Sequence, residues 1–212
     1  MKPFINKLLA LGFLLTVQVV YAAEQPTPVP HKDYPACFAA WDNKLNTLQT
    51  RFIQTTDYDG TLISQSRGRI SYTKTGPKLR LDNLEGEEIA QSALTDKKKI
   101  YILDEKGKEI SKISWEDWLI GQPNQALFDF GNYTQLLAKH TVQVQKQNTK
   151  QAVLKLAPKT PTENYMLYVT IRTVDCFPEK ITIESDLIKT TAVLMEIQIN
   201  QDLPADLFKE LK

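Results

Sequence analysis

Apolar and polar residues alternate with a period of two along most of the chain, a pattern typical of strands that bury one face. Within residues 66–83, Ile70 and Tyr72 share one face of a predicted strand, and Leu79 and Leu81 share one face of the next. Similar stretches, separated by turn sequences, recur towards the C-terminal end with no helical pattern between most of them. The sequence therefore predicts a mainly β protein with helical additions, built on a single large antiparallel sheet.

Two stretches depart from this alternation and predict helices. Apolar residues at steps of four, three and four from Trp41 to Phe52 predict an amphipathic helix that begins near Cys37 and ends before Arg51. Residues 115–139 are unusually apolar for a connection, so we expect one or two short helices there that pack on another apolar surface.

These helices are too few to cover a wide sheet. A twisted sheet buries a face only where another element packs against it. One N-terminal helix and one helical insertion on a curved sheet leave an incompletely filled apolar space. The pattern therefore predicts a pocket that suits an apolar ligand.

The first 22 residues have the layout of a cleavable secretory signal peptide. Lys2 and Lys7 give a positive start, residues 8–20 form an apolar run too short for a comfortable membrane span, and Ala22 closes a small-residue cleavage site. The alternative is an uncleaved membrane anchor. No cysteine stands directly after the cleavage site, so we expect an exported protein without a lipid anchor of its own.

Residues 23–35 contain four prolines and predict an extended, poorly packed leader, which places the folded domain at 36–212. Removal of the signal peptide leaves 24 basic and 25 acidic residues, a net charge of −1. A near-neutral protein is a poor candidate for non-specific nucleic-acid binding. Period-two alternation puts four of the five basic residues within 66–83 on the polar side of their strands, so we expect these four to form the solvated outer face of a hairpin, with docking to an acidic partner as a minor role and a phosphate grip as the less favoured alternative.

The sequence contains no recognisable catalytic or metal-binding motif. Cys37 and Cys176 are too few for a structural zinc site and form no C-x-x-C motif, so in an oxidising compartment they favour a structural disulfide. His31 and His140 have no ligand partner at metal-binding spacing, and no nucleophile–base motif occurs. We expect no enzymatic activity, no metal and no cofactor.

Several segments together resemble the LolA-like periplasmic lipoprotein carriers. They are LNTLQTRFIQT at 45–55, GRISY at 68–72, KLRLD after the proline turn at 78–82, PNQALFDFGNYTQLL at 123–137 and INQDLPADLFKEL at 199–211. Their order and spacing carry the resemblance, which covers about residues 36–210. It implies an unclosed antiparallel half-barrel, a single curved sheet covered by a lid of short helices with an apolar cavity between them.

The resemblance also implies a function in the periplasm. Family members receive an acylated lipoprotein from an inner-membrane release complex and pass it to an outer-membrane acceptor. By resemblance we expect a monomeric carrier that shields acyl chains in its cavity. The residues expected to line the cavity and the lid are Trp41, Leu45, Leu48, Phe52, Ile70, Tyr72, Leu79, Leu81, Ile102, Trp115, Trp118, Leu119, Phe128, Phe130, Met166, Tyr168 and Met195. For each of them ordinary core packing is the alternative.

The chain departs from the family pattern at one position. Many members have an arginine directly before the turn proline, and that arginine holds the lid closed, whereas here Gly76 precedes Pro77. Lys74 is the candidate substitute, although lysine lacks the planar fork of arginine. The departure leaves room for another lipid cargo. The two alternative functions are an envelope lipid or stress sensor on the same scaffold and, less favoured, an enzyme that acts on an envelope lipid or glycan.

Overall fold

Strands dominate the computed structural model, which describes residues 32–120, 130–160 and 164–211. The side chains of Leu119 and Ile120 are not described. In chain order the described elements are α1 (Tyr34–Lys44), β1 (Thr47–Tyr58), β2 (Thr61–Thr73), β3 (Lys78–Glu85), β4 (Glu88–Thr95), β5 (Lys99–Leu103), β6 (Glu109–Ser114), α2 (Trp115–Ile120), α3 (Tyr133–Lys139), β7 (His140–Gln147), β8 (Gln151–Pro158), β9 (Met166–Arg172), β10 (Pro178–Ser185) and β11 (Ile188–Ile199). The predicted signal peptide and most of the predicted leader lie outside the described residues.

The described strands form one antiparallel sheet in the order β6-β5-β4-β3-β2-β1-β11-β10-β9-β8-β7. Consecutive strands pair with each other except β6 and β7, and β1 also pairs with β11 at the centre. The edge strands β6 and β7 do not pair with each other, so the sheet is unclosed. The predicted single large antiparallel sheet with short helices is confirmed.

Tight turns join the strands where the sequence predicts them. Asp59 and Gly60 connect β1 to β2 with φ angles of 48° and 77°. Two successive residues with positive φ are typical of a two-residue turn whose twist matches that of the flanking strands. The hairpin predicted at this dipeptide is confirmed.

Helix α1 is shorter than predicted and begins earlier. It starts inside the predicted leader, at Tyr34, because the side chain of Asp33 accepts a hydrogen bond from the backbone N–H of Ala36 at 3.0 Å. It ends at Lys44, so the prediction that the helix continues towards Arg51 is wrong.

The physical reason lies in the spacing of the apolar residues. Leu48 and Phe52 belong to β1 rather than to the helix. A step of four residues returns to the same face of a helix and also to the same face of a strand. Because the last step fits both periods, the pattern alone does not show where the helix ends.

The hydrophobic core lies between one face of the sheet, here called the concave face, and helices α1 and α3. Aromatic side chains of the helices meet apolar side chains of β1–β3 and β8–β11 there, and none of the core residues is more than 9% exposed. In the described part of the chain no helix has the length and apolarity required to cross a membrane.

The opposite, convex face carries the basic residues of β2 and β3, as predicted, but not all of them are solvated. Arg67 is exposed. Arg80, by contrast, is only 14% exposed in its side chain, because the C-terminal segment 200–211 packs over it. Its guanidinium donates to Asp82 Oδ1 at 2.7 Å and to the carbonyl of Leu207 at 3.1 Å. For Arg80, the expectation of a solvated outer face is wrong.

Candidate ligand-binding face

Cross-strand pairing arranges the concave face in rows, because directly opposite residues of antiparallel strands point to the same face. The row nearest the helices runs through Leu48, Tyr72, Leu79, Thr95 and Ile100. All five are at most 2% exposed. This part of the face is filled and forms ordinary core.

The next row is only partly covered. It runs through Ile70, Leu81, Ala93 and Ile102. Ile70 is buried, whereas Leu81, Ala93 and Ile102 are each half-buried. We call these last three residues the apolar strip. It is the part of the predicted cavity lining that remains accessible to a ligand.

One glycine allows an aromatic ring to lie flat against the sheet beside this strip. Gly68 pairs with Phe52, and a Cβ atom at position 68 would lie 2.6 Å from the Phe52 ring and would also clash with the carbonyl oxygen of Asp82. The absent side chain therefore gives the ring its place. Phe52 therefore lies in the row next to that of Ile70, whose partner on β1 is Thr50.

Two tryptophans lie at the other border of strands β3–β6. Helix α2 follows β6 directly, and the ring of Trp115 stacks on that of Trp118 with 5.0 Å between centroids. Trp115 is buried and its backbone N–H donates to the carbonyl of Lys98 at 2.9 Å. Two of the predicted lid positions, the Leu119 side chain and Phe128, fall outside what the structure describes.

Over strands β7–β11, an aromatic cluster packs α1 against α3. The ring of Phe38 lies 4.8 Å from that of Tyr133, and the ring of Trp41 meets Phe177 edge-on at 5.3 Å. Such pairs add about 0.5–1.5 kcal/mol each beyond the area they bury. Trp41 and Leu45, both predicted lid residues, are therefore part of a packed cover.

A buried carboxylate fixes the same cover. Asp42 is 1% exposed, and it accepts hydrogen bonds from the backbone N–H of Gly131 at 2.7 Å and of Tyr133 at 2.9 Å. Gly131 has a φ of 82°, and a Cβ there would collide with the Tyr72 hydroxyl. Phe130, a predicted lid residue, is thereby held 6.0 Å from the Tyr72 ring.

Covalent and polar bonds attach α1 to the sheet. Cys37 and Cys176 form the predicted disulfide across 139 residues, which confirms the pairing. At the other end of the helix, Lys74 Nζ donates to the carbonyl of Asn43 at 2.6 Å. Lys74, the candidate substitute for the arginine of the family, thus contacts the last turn of α1.

The turn between β4 and β5 reaches the cover as well. Lys97 Nζ donates to the carbonyl of Phe130 at 2.8 Å and lies over the Tyr72 ring. Partial burial works to raise the pKa of Asp96, but the backbone N–H groups of Lys99 and Lys98, together with the Lys98 charge, outweigh it and hold that pKa below its usual value. Asp96 thereby shapes the turn that presents Lys97.

A cavity of about 440 Å³ lies between α1 and the end of β11. Trp41, Leu45 and Ile199 supply its apolar wall. In its polar wall, the side chain of Asn200 accepts from the backbone N–H of Asn46 at 2.7 Å and donates to a carbonyl of α1. No cluster of metal-ligating side chains occurs within the described ranges.

Three predicted cavity residues lie on the convex face instead. Met166, Tyr168 and Met195 alternate with or adjoin the buried residues of β9 and β11. Partial burial, together with the nearby carboxylate of Glu184, raises the pKa of the Tyr168 hydroxyl. They are not brought together with the apolar strip.

Two features of these strands explain why the three residues were placed on the wrong face. Strand β9 is apolar on both faces, so period two does not identify the inner set. In β11 the pairing with β1 is irregular between Gln49 and Arg51, and Glu196 has a φ of 51°. A bulge of this kind changes which residues point inward.

Pattern reasoning also missed several residues that build the site. The inner residues of β8–β11 that the alternation did not identify are Ala152, Leu156, Leu167, Ala192 and Leu194. Most of them are aliphatic or β-branched at alternate positions, a signal that could have found them. Asp42 had no such signal, because its partners lie 89 and 91 residues further along the chain.

An unclosed sheet with a partly helical cover on its concave face defines a half-barrel binding protein. The family model described as outer membrane lipoprotein carrier protein LolA matches residues 43–210. The chain therefore belongs to the LolA family. A comparison with curated protein sequences found no match.

Several solved structures are similar to this chain at low sequence identity. The crystal structure of MucB is 16% identical with a TM-score of 0.51, and the match covers 83% of this chain and 61% of that one. A LolA superfamily protein, NE2245 from Nitrosomonas europaea, is 12% identical with a TM-score of 0.49 and coverages of 82% and 95%. The Mycobacterium tuberculosis lipoprotein LppX is 12% identical with a TM-score of 0.48 and coverages of 82% and 100%. The likeness to MucB, at this identity, extends to the fold alone.

Proposed function

We propose that this protein is a non-enzymatic periplasmic carrier that shields the acyl chains of a lipoprotein, or of a related lipid, and passes them from the inner to the outer membrane. The observation that carries the proposal is the apolar strip of Leu81, Ala93 and Ile102, which is half-buried on the concave face. The family membership supports a carrier role of this general kind.

The energetics of acyl chains match a partly covered face. Burial stabilises a chain by about 0.8 kcal/mol per CH₂ group, so a chain of roughly sixteen carbons gains on the order of 12 kcal/mol. A fully enclosed chain would leave slowly. A half-buried strip lowers the cost of exposure in water and still allows transfer to an acceptor, which is what a carrier requires.

The compartment and the partners follow from the same proposal. The N-terminal pattern of Lys2, Lys7 and the apolar run supports export. The Cys37–Cys176 disulfide is the kind of bond that persists in an oxidising compartment. We assign an inner-membrane release complex as donor and an outer-membrane acceptor as recipient, with the carrier acting as a monomer.

Binding of an apolar fluorescent probe to delipidated protein tests the proposal. Palmitate should displace the probe, and acyl chains should be found by mass spectrometry in protein purified without delipidation. The variant Ile102→Asn should weaken probe binding by about tenfold or more, because one strip residue becomes polar. Val193→Asn is the matched control, since Val193 is 37% exposed and pairs with Ile53 on the convex face. The proposal would be refuted if the protein neither enhanced the fluorescence of the probe nor carried acyl chains. It would also be refuted if the two variants weakened probe binding equally.

A further inference from the structure

Five large apolar side chains cluster at one end of the sheet, at the tips of the β1–β2 and β10–β11 hairpins. They are Tyr58, Leu62, Ile63, Leu187 and Ile188, and their exposed fractions are 50%, 54%, 60%, 52% and 48%. The two tips adjoin, because Tyr58 pairs with Ile188 and the backbone N–H of Asp59 donates to the carbonyl of Leu187 at 2.8 Å. Tyr58 and Ile188 point to one face of the sheet and Leu62, which pairs with Asp57, points to the other, so the five side chains surround the two adjoining tips. We call these five residues the tip patch.

The tip patch is separate from the apolar strip and from the helical cover. Tyr58 lies eight residues along β1 from Thr50, which pairs with Ile70 in the row of the apolar strip, and this corresponds to about 26 Å of strand. Single exposed apolar residues are ordinary on protein surfaces, but contiguous groups of them mark sites of interaction. Neither tip needs five apolar residues to form its turn, since Asp59-Gly60 already supplies the required backbone conformation.

The charges around the tip patch select the kind of partner. Residues 57–66 and 184–189 contain four carboxylates and a single lysine. That lysine, Lys189, pairs with Glu184 at 3.0 Å. The remaining acids are Asp57, Asp59 and Asp186, so the apolar centre has a negative rim.

A negative rim opposes two of the possible occupants. An anionic bilayer repels it, because acidic residues gain nothing from the negative surface potential that attracts basic segments. A second copy of this chain that docked tip to tip would bring the same carboxylates together. A protein surface with apolar side chains and flanking lysine or arginine residues complements both parts of the patch.

We propose that the tip patch docks a partner protein through a contact surface of apolar residues flanked by basic ones. The apolar residues supply the buried centre of the contact. The carboxylates of Asp57, Asp59 and Asp186 steer the basic partner and fix its orientation. The inference does not depend on the carrier function.

Site-specific photocrosslinking in the producing cells tests the proposal. The full chain carries p-benzoylphenylalanine in place of Leu62, and the matched control carries it in place of Val174, which is 81% exposed and outside the patch. The crosslinked peptide is sequenced by mass spectrometry. We expect one partner protein whose crosslinked segment combines apolar and basic residues at position 62, and no such adduct at position 174.

A charge variant separates the role of the rim from that of the apolar centre. Asp57→Asn, Asp59→Asn and Asp186→Asn together remove the negative rim, and asparagine tolerates the φ angles of 48° and 47° at positions 59 and 186. Crosslinking at position 62 should fall about tenfold, while probe binding on the concave face stays unchanged.

Other outcomes overturn the proposal. They are adducts at position 62 that contain only lipid, an acidic peptide or a second copy of this chain, equal adducts at positions 62 and 174, or no adduct at position 62. Flotation with vesicles of phosphatidylethanolamine and phosphatidylglycerol adds an independent result. Binding to these vesicles that is lost in the Leu62→Ser, Ile63→Ser variant would assign the tip patch to a membrane instead.

Discussion

The two arms of the sheet differ in how completely they are covered. On the α1 arm, made of β7–β11 under α1 and α3, every inward-facing core residue of β8–β11 is at most 5% exposed. On the open arm, made of β3–β6 beside α2, Leu81, Ala93 and Ile102 remain half-buried. The α1 arm also has the disulfide and the buried carboxylate of Asp42.

In the proposed carrier, this difference separates stability from binding within one sheet. Packing, a covalent bond and a satisfied carboxylate make the α1 arm the stable part of the fold. The open arm retains apolar surface that the fold itself does not bury, and that surface is available to a ligand. Changes on the two arms should therefore affect different measurements.

Loss of the disulfide should have the largest effect. The bond closes a loop of 139 residues, so its removal in the Cys37→Ala, Cys176→Ala variant should lower the free energy of unfolding by about 4 kcal/mol. Urea unfolding of the variant measures this loss. Wild-type protein under reducing conditions is the control, and its free energy of unfolding should fall by a similar amount. Equal stability of the oxidised and reduced proteins would contradict the role given to the α1 arm.

Leu154→Ala and Ile102→Ala compare the two arms directly. Leu154 is 0% exposed, so its truncation should cost about 3 kcal/mol of unfolding free energy and leave probe affinity nearly unchanged. Ile102→Ala should cost only about 1 kcal/mol but weaken probe binding several-fold. Urea unfolding and probe titration of both variants check this, and a reversed order of effects would place the ligand on the α1 arm.

Asp42→Ala should destabilise the cover of the α1 arm. The substitution leaves the buried N–H groups of Gly131 and Tyr133 without their acceptor, which costs about 2 kcal/mol. Asp42→Asn retains one acceptor oxygen and should lose less. Unfolding measurements on both variants test this, and equal losses would show that the carboxylate does not act as a double acceptor.

The smallest expected effect is a pH dependence at Asp96. Its pKa is held below the usual value in the folded protein, so the stability that it contributes is present above the unfolded pKa and is lost as pH falls through the folded pKa. The contribution is at most about 0.5 kcal/mol, because the group is well solvated. The stability difference between wild type and Asp96→Asn should disappear in acid, and a difference that grows in acid would contradict the sign.

Local signals explain why the sheet could be predicted from the sequence. The turn at Asp59-Gly60 and the alternation in residues 66–83 depend on neighbouring residues only, and the structure has both. The end of α1 could not be predicted in the same way, because a step of four from Leu48 to Phe52 suits a helix and a strand equally.

An ambiguous strand pattern and long-range contacts explain what could not be predicted from the sequence. The inner face of β9 could not be predicted from a strand that is apolar on both sides, so Met166 and Tyr168 were assigned to the wrong face. The burial of Arg80 depends on a C-terminal segment more than 120 residues away. The hydrogen bonds to Asp42 likewise depend on the backbone N–H groups of Gly131 and Tyr133, which approach it only in the folded protein.

Labelling with a photoreactive fatty acid tests the central claim most directly. Delipidated protein is irradiated with a diazirine analogue of palmitate, and labelled peptides are identified with and without excess palmitate. The account predicts saturable labelling of peptides from residues 78–103, which contain the apolar strip. Saturable labelling confined to peptides of β7–β11, or no saturable labelling at all, would contradict it.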